Sequence, residues 1–313
     1  MTLHLIEAAE QAEESGDFEK ALQIWCQLAS EKGKAIYFSR WGNAAQRLAR
    51  WDEAEKAFGN ALAADSRFSS AMEGLGLLFF HRTDGNQQSN IERARDWYLN
   101  ALLINRYART FNLLGIAYIE LGLLEDAKDA FLEAIDIDDS YSESYFNLAA
   151  LEKKEDPRKA KALLEKCIAL DPDWMAAYFN LALLVREENV EKAKVLFEKA
   201  IELNFNELPP HREFGKLLQK EGSMREAEGE FRRCLEIAPK DCWSRLYLAN
   251  NLAVQGRDPE AEREYRIAIN LCQDTAAAVH LFANFLDSIS RSDEANVLRS
   301  QISEKGNDIP SQN

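Results

Sequence analysis

The sequence has few of the features that divide, cross-link or anchor a chain. Its 313 residues include only 7 prolines and 14 glycines, and no linker rich in Pro, Gly or Ser separates one part from another. The five cysteines are an odd number without a CxxC pair, which predicts neither a disulfide framework nor a zinc site. No apolar run reaches membrane-spanning length, and the first residues lack the pattern of a secretion signal. We therefore expect a protein of the reducing cytoplasm, without membrane insertion.

Positive charge is also scarce. Lys and Arg total 38 against 53 Asp and Glu, which gives a formal net charge of −15. Such a chain repels phosphate backbones at long range, so nucleic acid is excluded as an expected partner. The hydrophobic fraction of 46% is ample for a folded core. A long chain without linkers favours a core that extends in one direction.

Signatures of catalysis are missing as well. The sequence has no Walker loop, no GxSxG, no HExxH and no complete dinucleotide fingerprint. The four histidines, His4, His81, His211 and His280, fall far apart along the chain, which argues against a shared metal. We expect no enzyme, no cofactor and no metal site.

What the sequence does contain is an internal repeat. Marker alanines recur at intervals of 33 or 34 residues, with one interval of 40, at Ala21, Ala54, Ala94, Ala127, Ala160, Ala193, Ala227, Ala261 and Ala295. Four residues after each of the first eight stands Trp25, Phe58, Tyr98, Phe131, Leu164, Phe197, Phe231 or Tyr265, and seven of these eight are aromatic. The period predicts nine copies of one structural unit.

Each copy has a second small residue, usually eleven or twelve positions upstream of the marker alanine. In the fourth copy this residue is Gly115, and large apolar residues such as Phe111, Leu114 and Tyr118 surround it at helical spacing. The pattern predicts two amphipathic helices that cross closely where side chains lack bulk, with an aromatic ring between successive pairs. One such hairpin cannot bury its own apolar face, so the hairpins must stack.

These units resemble the tetratricopeptide repeat family. The segments Phe111–Asp138 and Tyr178–Asn204 are both similar to its consensus. The resemblance implies an all-α fold, a right-handed solenoid of helical hairpins with about nine repeats. We expect it to occupy residues 1–302, followed by a disordered tail at 303–313. The expected repeats are 2–33, 35–66, 69–106, 108–139, 141–172, 174–205, 208–239, 242–273 and 276–302, the last acting as a cap.

The resemblance also implies a binding surface, because the first helix of each hairpin lines the concave groove in this family. Carrying the family's inward positions across predicts a peptide-binding groove formed by Phe80, Arg109, Asn112, Phe146, Asn147, Lys153, Phe179, Asn180, Leu183, Arg186, Arg212, Lys216 and Lys220. Many of these are cations, and Phe146 and Phe179 fall near them. We hypothesise a protein or peptide partner that carries carboxylates, with cations that solvate helix ends as the equal alternative.

Two known binding modes of the family fit less well. The carboxylate clamp of co-chaperones requires a Lys where this chain has Ser39 and an Asn where it has Gly74. The asparagine row of the O-linked N-acetylglucosamine transferase arm is represented only by Asn147 and Asn180.

The function we expect is a non-catalytic scaffold or adaptor that binds a protein segment in its groove. Two alternatives remain open. The chain could be a regulatory or substrate-delivering subunit of a separately encoded enzyme, or a structural protein that forms homo-oligomers through its ends or edges.

Overall fold

The computed structural model describes residues 2–272 and 275–306, and over these residues the chain forms eighteen α-helices and no strand. The helices are α1 (Thr2–Glu14), α2 (Phe18–Lys32), α3 (Ala35–Arg47), α4 (Trp51–Ala64), α5 (Ser69–His81), α6 (Gln87–Ile104), α7 (Ala108–Glu120), α8 (Leu124–Ile137), α9 (Ser142–Glu152), α10 (Pro157–Leu170), α11 (Met175–Val185), α12 (Val190–Leu203), α13 (Leu208–Lys220), α14 (Met224–Ile237), α15 (Cys242–Val254), α16 (Asp258–Leu271), α17 (Thr275–Ser288) and α18 (Ser292–Gly306).

Consecutive helices pack in pairs as nine helical hairpins within the described residues, hairpin 1 being α1 with α2 and hairpin 9 being α17 with α18. The chain divides after Asp171 into two compact units, which we call unit 1 (hairpins 1–5) and unit 2 (hairpins 6–9). Within each unit the second helix of one hairpin packs on the first helix of the next, and first helices such as α3 and α5, or α13 and α15, also touch. The predicted all-α fold with about nine repeats is confirmed.

The packing follows the predicted alternation of small and large residues. The marker alanines Ala127 and Ala193 are fully buried, as are the rings of Phe131 and Phe197 that follow them. At Gly115 an added Cβ would lie 2.5 Å from the Phe131 ring, so the close crossing of α7 and α8 requires glycine. The small residues are therefore the places where helices press together.

Six of the nine turns inside the described hairpins share a left-handed residue after the first helix. Gly16, Gly122, Gly222 and Gly256 all have a positive φ between 72° and 85° at the end of the first helix. Ala49 and Ser290 take the same place in hairpins 2 and 9, with φ of 55° and 63°. In these six hairpins the turn takes the left-handed region even where the sequence supplies no glycine, whereas hairpins 5 and 6 turn without a residue of positive φ.

The structure corrects one expectation about the cysteines. Cys242 and Cys272 form a disulfide with a Cα–Cα distance of 5.3 Å, although we expected no disulfide. The two residues are 30 positions apart, at the start of α15 and just after the end of α16. An antiparallel hairpin brings these two ends together, a proximity that the search for short CxxC spacing misses.

The last helix extends beyond the predicted end of the ninth repeat. Helix α18 continues to Gly306, so residues 303–306 of the predicted tail are helical. Gln273, the predicted last residue of the eighth repeat, and residues 307–313 of the tail lie outside the described residues. In α18, Arg299 stands where seven of the other hairpins have an aromatic ring, and it reaches back to Asp287 of its own hairpin at 2.6 Å.

Candidate protein-binding surface

The first helices of unit 1 enclose an open depression of about 890 Å³. Most of its wall comes from α3 and α5, with contributions from α1, α2, α4 and α7. The lining alternates apolar, polar and charged groups: Glu13, Phe18, Ile36, Ser39, Arg40, Asn43, Ala44, Gln46, Arg47, Trp51, Ser70, Glu73, Gly74, Leu77, His81 and Arg109. A mixed concave surface of this size can take several side chains of a peptide.

Charges in this cavity, as we call the depression, are mostly balanced. Arg40 pairs with Glu13 at 3.2 Å, and Arg109 pairs with Glu73 at 2.5 Å. Arg47 differs, since it forms no ion pair within the described part of the chain and lies 5.9 Å from the Phe18 ring. An exposed guanidinium beside an aromatic ring is suited to meet a carboxylate of a partner.

The groove residues predicted in unit 1 have different surroundings. Arg109 lines the cavity, whereas Phe80 is half-buried and meets the His81 ring edge-on. Asn112 is only 4% exposed, and its side-chain oxygen accepts hydrogen bonds from Asn147 at 2.9 Å and Ser144 at 3.3 Å. These two asparagines therefore link adjacent first helices, α7 and α9.

Two further predicted residues lie on α9. Phe146 is half-buried, and Lys153 is exposed directly after the end of the helix at Glu152. Because α9 has 11 residues instead of the 13 of α7, Lys153 falls at the turn and not in the middle of the helical face.

In unit 2 the predicted cations are paired with carboxylates of the same unit. Arg186 lies 2.9 Å and Lys216 lies 2.8 Å from Glu213. Lys220 pairs with Glu187 at 2.5 Å, and this hydrogen bond lowers the pKa of that carboxyl. Arg212 lies 3.5 Å from Asp241. The positive charge that the sequence concentrates in this region is therefore largely neutralised within the fold.

The remaining predicted groove residues of unit 2 lie on α11. The ring centroid of Phe179 is 6.1 Å from that of Phe197, and Leu183 is half-buried. The side-chain nitrogen of Asn180 donates to the carbonyl of Ala176 in its own helix at 2.9 Å. The twin asparagines thus have different partners, because Asn147 bonds to a neighbouring helix and Asn180 does not.

Other reactive groups of the chain have structural surroundings. Cys167 and Cys234 are fully buried, and burial raises the pKa of their thiols to about 12 and about 11. His211 is buried, with one ring nitrogen 2.6 Å from Glu230 and the other 3.0 Å from the carbonyl oxygen of Phe205. Across the described residues no group of three His, Cys, Asp or Glu side chains is arranged to hold a metal ion. None of the described helices has the length and apolar character needed to cross a membrane.

The repeated pairing of antiparallel helices defines a helical repeat protein. Within it, residues 39–107 match one family model described as tetratricopeptide repeat, and residues 108–141 and 142–173 match a second with the same description. Residues 39–173 therefore consist of tetratricopeptide repeats, and the other described hairpins have the same helical pairing. No curated protein matches the sequence significantly.

Solved structures with the same fold share little sequence with the chain. A crystal structure of the APC/C hetero-tetramer Cut9–Hcn1 contains a chain that is 18% identical, with a TM-score of 0.62. The match covers 80% of the present chain and 48% of the other, so the present chain spans about half its length. PilF of Pseudomonas aeruginosa is 19% identical with a TM-score of 0.54, and the match covers 70% of the present chain and 95% of PilF. At these identities the likeness concerns the fold alone.

Proposed function

We propose that this protein is a non-catalytic adaptor that binds an extended or helical segment of another protein along the first helices of its hairpins. The observation that carries the proposal is the cavity of unit 1, where first helices of successive hairpins form a concave wall of apolar, polar and charged groups. Stacked hairpin repeats typically use such concave surfaces to bind partners.

Within this proposal the cavity is the main contact, and its apolar residues Phe18, Ile36 and Leu77 bury side chains of the partner. Arg47 would meet a carboxylate of the bound segment, in keeping with the expected carboxylate-bearing partner. The other predicted groove residues are proposed contacts of lower weight, because several already hold bonds inside the fold.

A photo-crosslinking amino acid at Asn43 tests this proposal. Asn43 is exposed and lines the cavity, whereas Asn100 is exposed on the second helix α6 and serves as the matched control position. In lysate of the native host we expect a defined protein segment to be cross-linked from Asn43 and not from Asn100. Ser70→Trp, which fills the cavity from its rim, should abolish the product. Equal labelling from both positions, or a product that survives Ser70→Trp, would contradict the proposal.

The same experiment separates the alternatives. A single catalytic protein recovered in equal amount would favour a regulatory or substrate-delivering subunit, and a second copy of the chain would favour self-association. The cytoplasm remains the proposed location, and there the Cys242–Cys272 bond would be reduced. Alkylation of thiols at the moment of cell lysis would reveal which state occurs in the cell.

A further inference from the structure

The turn of hairpin 5 carries a cluster of unpaired positive charges. Lys153, Lys154 and Arg158 are exposed, Lys161 is half-buried, and none of the four forms an ion pair within residues 2–272 and 275–306. In hairpin 8, by contrast, Arg245, Arg257, Arg263 and Arg266 all pair with glutamates, and the unpaired cations of hairpins 1 to 3 are scattered along the chain. An acidic chain has thus left one group of cations without an internal partner.

Carboxylates near this turn are already engaged. Glu152, which is 6% exposed, pairs with Lys159 at 2.7 Å, and Glu155 pairs with Lys128 of hairpin 4. The side chain of Asp156 accepts hydrogen bonds from the backbone N–H groups of Arg158 and Lys159 at 3.1 and 3.0 Å. None of these three acids forms an ion pair with any of the four cations.

The arrangement also indicates what kind of anion would fit. Asp156 occupies the N-terminus of α10, so a small anion finds no backbone cradle there. The four cations instead follow one another across the turn and along the first five residues of α10, on long side chains that can spread. Such a series suits several carboxylates along an extended chain.

We propose that this basic turn (Lys153, Lys154, Arg158 and Lys161) docks an acidic segment of a partner protein. It is a second contact, distinct from the cavity, and it is carried by charge complementarity. A polynucleotide fits less well, because it carries a charge on every residue, and the whole protein, with a formal net charge of −15, repels it more strongly than a short acidic segment.

The test is fluorescence anisotropy with a labelled peptide of alternating Glu and Ser, and a Gln/Ser peptide as the uncharged control. In the test variant Lys153, Lys154, Arg158 and Lys161 are all changed to Gln. In the matched control variant Lys20, Lys32, Lys56 and Arg67, which are exposed and unpaired in hairpins 1 to 3, are changed to Gln. Both variants lose four positive charges, so a difference between their affinities for the peptide cannot come from the change in net charge.

At physiological ionic strength we expect the test variant to raise the Kd of the acidic peptide by about 10-fold and the control variant by less than about 2-fold. Weakening of the wild-type complex by added salt should accompany this difference. Equal effects of the two variants would overturn the proposal. Loss of binding in Ser70→Trp instead would place the peptide in the cavity and also overturn it. Tighter binding of a DNA oligonucleotide or of anionic vesicles than of the peptide would overturn the assigned class of partner.

Discussion

The two units use the same hairpin but treat charge differently. In unit 2 the cations that the sequence groups together pair with Glu187, Glu213 and Asp241, so little positive charge is left for a partner. In unit 1 Arg47 and the basic turn of hairpin 5 keep their charge, and the first helices surround an open cavity. The difference teaches that acids of the same or a neighbouring repeat can neutralise a run of cations, so only the unpaired cations are candidates for contact with a partner.

The largest effect is expected from loss of the disulfide, which should lower the stability of unit 2 and leave that of unit 1 unchanged. Reduction of the Cys242–Cys272 bond, or Cys242→Ser, should destabilise unit 2 by about 3–4 kcal/mol, since the bond closes a loop of 30 residues. Unit 1 contains no part of that loop and should be unaffected. Hydrogen exchange read by mass spectrometry, with and without reductant, measures both units at once. Identical exchange in both conditions, with Cys272 free to alkylate, would mean that the bond does not form.

A second test asks whether the packing is alike in both units. Ala127→Trp in unit 1 and Ala193→Trp in unit 2 each force a large ring into a fully buried position. Both should lower the free energy of unfolding by about 3 kcal/mol, because a close-packed crossing cannot admit the added volume. Urea denaturation followed by circular dichroism is the measurement. A neutral result at either position would show that the packing register of that unit is wrong.

A smaller effect on stability is expected from a substitution that unpairs cations of unit 2 and so makes this unit resemble unit 1 in its charge. Glu213→Gln leaves Arg186 and Lys216 without their carboxylate, and should cost about 1 kcal/mol of stability because the pairs are partly solvated. The same variant should bind the acidic Glu/Ser peptide more tightly than wild type. Glu236→Gln, which removes the partner of Arg233 on the second helix α14, is the control. Unchanged peptide affinity in Glu213→Gln would argue against internal pairing as the reason for the difference.

The smallest effect concerns one hydroxyl. Tyr98 is fully buried, its hydroxyl has no hydrogen-bond partner among the described residues, and burial raises its pKa. Tyr98→Phe should therefore stabilise the protein by up to about 1 kcal/mol. Since the folded-state pKa exceeds the unfolded one, wild type should lose stability as the pH rises above 10, the ordinary tyrosine value, and the variant should lose less. Urea midpoints at neutral and alkaline pH give both quantities, and a destabilised Tyr98→Phe would mean that the hydroxyl has a favourable contact.

The fold was predictable because small and large side chains recur at fixed spacing along the sequence. Ala127, Phe131 and Gly115 stand at fixed spacing, and each is buried where that spacing requires. The candidate surface was less predictable, because pairing depends on the orientation of neighbouring repeats. No feature near Asn112 in the sequence reveals that Asn147 bonds to it, and the register placed Lys153 on a helical face although α9 ends one residue earlier.

The left-handed turn at Ala49 and the disulfide could not be predicted from the sequence, because neither has a local sequence signal. Glycine marks the turn at Gly122, but Ala49 adopts the same conformation without that signal. The cysteines are separated by 30 residues, so only a hairpin in three dimensions brings them together. Cavity residues such as Asn43 and Arg47 were not selected from the sequence; the alignment of first helices was the signal that could have found them.

The ring of Phe58 has a consequence for how this array could grow or shrink. It lies between Gly42 and Gly74, and a Cβ at the first would come within 2.7 Å of the ring and one at the second closer still. Hairpins 2 and 3 therefore pack together only because both positions that face the Phe58 ring are glycines. A repeat inserted after hairpin 2 would pack on the Phe58 ring only if it had a glycine at the position of Gly74. Duplication or exchange of repeats should therefore be tolerated better at other junctions between hairpins.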